Sequence, residues 1–230
     1  MPSIACFAVP LGDVVSMSLL VQSAHRPVAG FAVGTLGCIF CIMSMGLAEW
    51  RVWHVEHTPV LPVGLACVGM WKVCIYRPSG YSKRITCHLY RYTDAYPPPD
   101  IRAAQNLLLA ASLLGLVGKA LLVLGLRHVF VGSLHSGAAQ NFFLAAGALK
   151  VTAGTCISVA VVCNYCSVTR AAGIAFPPSF ALPFQPKAQD VGNACGVAVL
   201  AALMMLLSGL LAFFYKVPPE SQVHPVVTEI

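Results

Sequence analysis

Arg51-Val52-Trp53-His54-Val55 and Ile85-Thr86-Cys87-His88-Leu89-Tyr90 both lie within residues 48–102 and alternate aromatic or β-branched residues with polar ones. A period of two is the pattern of a half-buried strand. Pro78-Ser79-Gly80 supplies a turn signal between strands. Pro97-Pro98-Pro99-Asp100 then stops the sheet just ahead of an apolar run, with Asp100 as an N-cap candidate for the helix that follows. A sheet of a few short strands is marginal in water by itself, so its flanks decide its setting.

Those flanks are apolar. Of 230 residues, 58% are hydrophobic and 10% charged, with a mean hydropathy of +0.78. Soluble domains carry about 25% charged residues, so the composition excludes an ordinary soluble globule. A spanning helix needs roughly 20 mainly apolar residues. Residues 28–47, 103–126, 138–163 and 191–215 meet that length. The expected fold is α-helical transmembrane, a four-helix bundle with a small extracellular antiparallel β-sheet, drawn mostly from 48–102 with one strand from 164–190. An even number of spans puts both termini on one side.

The remaining segments are connections. Residues 1–27 are expected as a frayed N-terminal cytoplasmic segment: Pro10 and Asp13 interrupt its apolar run and no basic residue precedes it, unlike a signal peptide. Met17 is an alternative start. The link 127–137 is short enough to make its helices antiparallel neighbours. Residues 164–190 contain Phe176-Pro177-Pro178 and Leu182-Pro183-Phe184 and read as an extended, packed loop. Residues 216–230 form a short polar tail entered through Pro218-Pro219.

The large loop carries Trp50-Arg51, then Gly69-Met70-Trp71, then Cys74 and Cys87, with Glu49 before Trp50 and Ile101-Arg102-Ala103-Ala104 opening the second apolar stretch. This order resembles the claudin family, in which Trp, Gly-Leu-Trp, Cys and Cys follow one another in the first extracellular segment. Ala66-Cys67-Val68-Gly69-Met70-Trp71 and Gly173-Ile174-Ala175-Phe176-Pro177-Pro178 give it the look of a divergent member. The resemblance implies a Cys74–Cys87 disulfide, worth about 3 kcal/mol in the chain-entropy model for a hairpin of this length. It further implies Trp50, Arg51, Gly69 and Trp71 as the loop motif, with Trp71 near the bridge and Trp50 at the membrane interface. The expected function is a tight-junction protein for cell–cell adhesion and a paracellular barrier or ion path. Self-association and association with other claudins in cis and trans would accompany it. The alternative is a regulatory tetraspan protein that binds a channel or other membrane partner laterally without forming strands. Departures from the family are Gln105 where an arginine is usual, the extra loop cysteine Cys67, and a longer Cys74-to-Cys87 interval.

Charge points two ways. Arg51, Lys72, Arg77, Lys83, Arg84, Arg91 and Arg102 lie in the loop, against Arg26, Arg127 and Lys216 on the other side. The positive-inside rule would put the loop in the cytoplasm. A cysteine pair calls for an oxidising compartment, and with the resemblance it places the loop outside, both termini cytoplasmic, in the plasma membrane at the tight junction. Arg77, Lys83 and Arg84 are then candidate pore charges favouring anions, against the plainer reading of a solvated basic face.

Within the spans, Lys119 and Lys150 are intramembrane lysines, and no span holds an Asp or Glu to pair with them. Lys119 is near enough to one end to snorkel. A central lysine such as Lys150 costs roughly 2.5–3.5 kcal/mol on insertion scales and is expected to bond carbonyls or polar bundle residues. Gly30-x-x-x-Gly34 and Gly192-x-x-x-Gly196 are small-residue pairs that allow helices to approach. Thr228-Glu229-Ile230 at the C-terminus matches the carboxylate-terminated peptide that PDZ scaffold proteins add as an edge strand. Membrane lipid is the expected surround. No catalytic triad, phosphate loop or zinc spacing occurs, so neither enzyme activity, cofactor, metal nor nucleic-acid partner is expected.

Overall fold

A computed structural model describes residues 11–55, 64–79, 82–131, 136–177, 180, 182–185 and 188–217. In chain order these form α1 (Leu11–Gly46), β1 (Arg51–Val55), β2 (Gly64–Val68), β3 (Lys72–Ser79), β4 (Ser82–Leu89), α2 (Pro99–Val131), α3 (Ser136–Thr169), β5 (Ala188–Val191) and α4 (Asn193–Phe213). Among the described residues, four helices are long and apolar enough to cross a membrane, over His25–Gly46, Pro99–Val129, Gly137–Thr169 and Asn193–Phe213. The fold class is therefore the expected one, four membrane helices carrying a small extracellular antiparallel sheet.

The helices pack in a ring, each against the next and α4 back against α1. Their outward faces carry large apolar side chains such as Leu113, Leu116, Val117, Val162, Leu203 and Leu207, all well exposed. That pattern suits lipid rather than water. The inward face of α4 is built of small residues: Ala194, Ala198, Ala201, Ala202 and Gly209 are buried. A Cβ on Gly147 of α3 would come within 2.9 Å of the Gly209 carbonyl, and one on Gly209 within 3.0 Å of the Gly147 carbonyl. Helices without a hydrophobic drive between them associate through such close backbone approach. Gly30 and Gly34 serve α1 in the same way against Leu211 and Ser208, whereas Gly196 faces open space.

Two helix starts differ from the sequence-based expectation. Residues 1–10 of the expected N-terminal segment 1–27 lie outside the described residues; α1 is helical from Leu11 on and runs through Pro27 without a break. Asp100 is the second residue of α2 rather than its cap; Pro99 leads the helix, and Arg102 N–H already bonds the Pro98 carbonyl at 3.2 Å. Proline suits a first helical position because its missing N–H would have no intrahelical partner there.

The five strands form one antiparallel sheet in the order β4-β3-β2-β1-β5. β1 through β4 come from the segment between α1 and α2, and β5 from that between α3 and α4. β5 pairs with β1 in the register Arg51↔Val191, Trp53↔Gln189. Trp53, Ala66 and Ile75 line up across β1, β2 and β3, and all three are buried in the main core, which continues into Leu108, Ile157 and Ala198 of the bundle. Sheet and bundle thus share one core.

Candidate functional site: the junction of sheet and bundle

The motif residues meet where α1 gives way to β1. Trp50, just past the end of α1, is 1% exposed, and its indole N–H donates to the Ser44 carbonyl at 2.8 Å. It occupies the protein interior instead of the lipid interface expected for it. The indole closes the carbonyl end of α1, where the last turn has no intrahelical donors. Its backbone is equally engaged: Trp50 N–H bonds the Val68 carbonyl at 3.1 Å, and Gly192 N–H bonds the Trp50 carbonyl at 3.0 Å.

Gly69 explains itself by space. A Cβ there would lie 2.7 Å from both Ala48 Cα and the Leu47 carbonyl oxygen. Only a residue with no side chain lets the β2–β3 turn sit against the α1–β1 corner. Gly69 N–H closes that turn on the Lys72 carbonyl at 2.9 Å. Gln105, standing where the resemblance would have an arginine, donates from α2 to the Met70 carbonyl and ties the same turn to the bundle. Trp71 is partly buried against the core, and its carbonyl accepts from Tyr90 N–H at 2.9 Å. Cys74 and Cys87, register partners on β3 and β4, are joined by a disulfide.

Arg51 is the electrostatic centre of this junction. It is 1% exposed, and its Nε donates to Asn164 Oδ1 of α3 at 2.7 Å. Its Nη2 is paired with the Asp100 carboxylate at the start of α2, which also accepts from Ser167 Oγ of α3. Asn164 Nδ2 reaches the Trp50 carbonyl at 3.3 Å. One guanidinium therefore holds β1, α2 and α3 together. A buried cation is tolerated when it is paired and hydrogen-bonded. Asn164, Ser167 and Ser44 were not singled out from sequence; an Asn and a Ser closing an apolar stretch were the only signal.

Around this centre the loop between α3 and α4 packs down. Just past the end of α3, Ala171 takes a φ of +48°, a left-handed position that turns the chain, and Ala172 N–H bonds the Ser167 carbonyl at 3.1 Å. Phe176 then meets Trp53 edge to face with ring centroids 4.9 Å apart. Such aromatic pairs add about 0.5–1.5 kcal/mol beyond the area they bury. At the exposed rim His54 on β1 and Asp190 on β5 are 2.8 Å apart. Burial pushes the Tyr90 hydroxyl well above its usual range, with Arg51 opposing in part.

The other singled-out residues lie elsewhere. Lys150, fully buried in mid-bundle, donates to Ser208 Oγ of α4 at 2.9 Å and to the Gly30 carbonyl of α1 at 3.5 Å. Ser208 also donates to Gly30. Lys119 sits 5.8 Å above the ring of Phe31. Arg77 pairs with Arg84, and Pro78 with Lys83, in the backbone register of β3 and β4. The side chains of Arg77, Lys83 and Arg84 lie outside the described part, as do Thr228, Glu229 and Ile230. Among the described residues no group of His, Cys, Asp and Glu is arranged to hold a metal ion.

Compared with known proteins, the chain is similar to claudin-3 of Rattus norvegicus, 26% identical over 206 residues that span 89% of this chain and 88% of the relative. It is similar to claudin-2 of Homo sapiens, 24% identical over 197 residues, 84% of this chain and 80% of the relative. It is likewise similar to claudin-14 of Mus musculus, 24% identical over 209 residues, 86% of this chain and 82% of the relative. No protein-family model matches the chain. The similarity extends over most of both chains, and the four-helix, five-stranded fold accompanies it.

Proposed function

We propose that this chain is a claudin-like junction protein that joins neighbouring cells and forms a paracellular barrier or ion path. The observation that carries this reading is the five-stranded sheet locked to a four-helix bundle through Trp50, Arg51 and Gly69, in a chain similar to claudins over most of its length. We read the sheet as facing the intercellular space and both termini as cytoplasmic, because the Cys74–Cys87 bridge needs an oxidising compartment. Within the family, the stretches 66–71 and 173–178 are read as those of a divergent member resembling claudin thirty-four.

In this reading the protein is structural and turns over no substrate. Strand edges and loop side chains associate with further copies, or with other claudins, in the same membrane and across the cell contact. Arg77, Lys83 and Arg84, without an acid between Cys74 and Cys87, bias the path toward anions over short screened distances. The terminal Thr228-Glu229-Ile230 docks a PDZ scaffold protein.

The test is expression in cells that lack junctions, followed by freeze-fracture and labelling of an epitope at Ser79 with an impermeant reagent. Continuous strands at cell contacts with a labelled epitope are expected. Scattered particles with a labelled epitope would instead favour a tetraspan subunit that binds a partner laterally, and an unlabelled epitope in intact cells would overturn the orientation. If strands form, Lys83→Glu with Arg84→Glu is expected to abolish anion preference in dilution potentials, and an unchanged potential would remove these residues from the path.

A further inference from the structure

Cys67, Cys74 and Cys87 stand in one row across three neighbouring strands. Cys67 on β2 is the register partner of Cys74 on β3, and Cys74 is the partner of Cys87 on β4. Opposed residues of an antiparallel pair project from the same face with Cα atoms about 4.5–5.5 Å apart. Gly69 N–H on the Lys72 carbonyl sets the β2–β3 register so that Cys67 and Cys74 form a hydrogen-bonded pair, with Cα atoms about 5.5 Å apart. That is inside the roughly 4.4–6.8 Å that disulfides usually span, so Cys74 faces a second cysteine on its other side. It is bonded to Cys87, and Cys67 is a free thiol. Burial differs along the row: Cys67 is 1% exposed and Cys74 3%, whereas Cys87 is exposed on the outermost strand.

The row also fixes a direction of attack. A thiolate displaces one sulfur of a disulfide by approaching the other, along the line of the bond that breaks. From β2, Cys67 meets Cys74 on the side away from Cys87. The far sulfur lies two strands distant, so the exchange has one regiochemistry.

We propose that these cysteines form a disulfide relay in which Cys67 attacks Cys74 Sγ and Cys87 is released as a reactive thiol at the sheet edge. The Cys67–Cys74 bond forms as the Cys74–Cys87 bond breaks. Cys87 leaves with the electron pair and takes from solvent the equivalent of the proton Cys67 gave up. Atoms and electrons balance with no outside oxidant or reductant. The staple moves from β3–β4 to β2–β3, and the free thiol moves from a buried strand to an exposed one. Cys87 then becomes a modification site for thiol-reactive electrophiles. With a small disulfide in solution it forms a mixed disulfide and releases one thiol.

The same geometry makes the exchange slow. Burial, with Glu49 adding, pushes the Cys67 thiol up to about 11, and Tyr76 is the further titratable group coupled to it. Because the thiolate is the attacking species, exchange is slow at neutral pH. It quickens about tenfold for each pH unit, until the pH reaches the value at which Cys67 ionises.

The test uses the full chain in membranes without reductant, exposed to an impermeant maleimide, acid-quenched and mapped by mass spectrometry. The expected product carries maleimide on Cys87 and a Cys67–Cys74 bond in the same molecule, accumulating about tenfold faster at pH 8.5 than at pH 7.5. In Cys67→Ser and Cys67→Ala, Cys87 labelling is expected to fall more than tenfold while the Cys74–Cys87 bond, mapped in the same digest, reports an intact hairpin. Equal Cys87 labelling in either variant with that bond present would overturn the relay. So would unmodified Cys87 in the unsubstituted protein at both pH values.

Discussion

Two buried cations in this molecule are handled in opposite ways. Arg51, at the junction of sheet and bundle, has a carboxylate partner in Asp100 and an amide partner in Asn164. Lys150, at the middle of the bundle, has a hydroxyl and a carbonyl but no acid. Both sites knit three elements together, β1, α2 and α3 in one case and α1, α3 and α4 in the other. The difference teaches where charge complementarity is affordable. At the rim Asp100 stays 22% exposed and keeps part of its hydration, whereas an acid at mid-bundle depth would itself have to be desolvated. Removing a partner should therefore hurt at the junction, and removing the cation should help in the bundle.

The strongest break in that comparison is Asp100→Ala, which leaves the Arg51 guanidinium buried with an amide alone. A loss of about 3 kcal/mol is expected, read as a lowered midpoint of thermal unfolding in detergent. Arg51→Met combined with Asp100→Ala should recover most of it, since an apolar replacement of both partners removes the unpaired charge. If the double variant is as unstable as the single, the pair itself and not the stranded charge carries the stability.

Lys150→Met is the opposite case. With no acid left behind, the change should raise stability by about 2 kcal/mol, somewhat less than the insertion cost of a central lysine because its two hydrogen bonds are lost. A fall in stability on the same assay would mean that those bonds outweigh the cost of burying the ammonium.

Single hydrogen bonds sharpen the contrast further. Trp50→Phe removes the indole N–H from the Ser44 carbonyl and should cost about 1 kcal/mol. Ser208→Ala removes the hydroxyl between Lys150 and Gly30 and should cost about 0.6 kcal/mol, the average for such bonds between membrane helices. Reversed ranking in parallel thermal scans would place the tighter polar network in mid-bundle.

The junction and the bundle also differed in how far they were legible in the sequence. Hydropathy is a local property, so the four spans stood out, as did the alternation in Arg51-Val52-Trp53-His54-Val55. The partners of Arg51 are 49 and 113 residues away along the chain. No local pattern joins Asp100 or Asn164 to it; only the topology does. α3 likewise continues past its apolar run because Asn164 and Ser167 are spent on Arg51 and Asp100 and need no water. Trp50 was misplaced for a related reason. A tryptophan after an apolar stretch resembles an interface anchor until the sheet that covers it is known. The row of three cysteines was invisible for want of strand register, since Cys67 and Cys74 are neighbours only after β2 folds back on β3.

The pairing of β1 with β5 sets an order of events during synthesis. β1 and β2 leave the ribosome early, but the last strand follows the third membrane helix. Until then the β1 edge has unpaired amides and carbonyls on one side, although β2 already occupies the other. The sheet is finished only when β5, the short strand just ahead of the fourth helix, has been made. Nascent chains halted before that point present an open strand edge to the translocation machinery and to one another. Arrival of β5, just ahead of the last span, is thus the step that closes the edge.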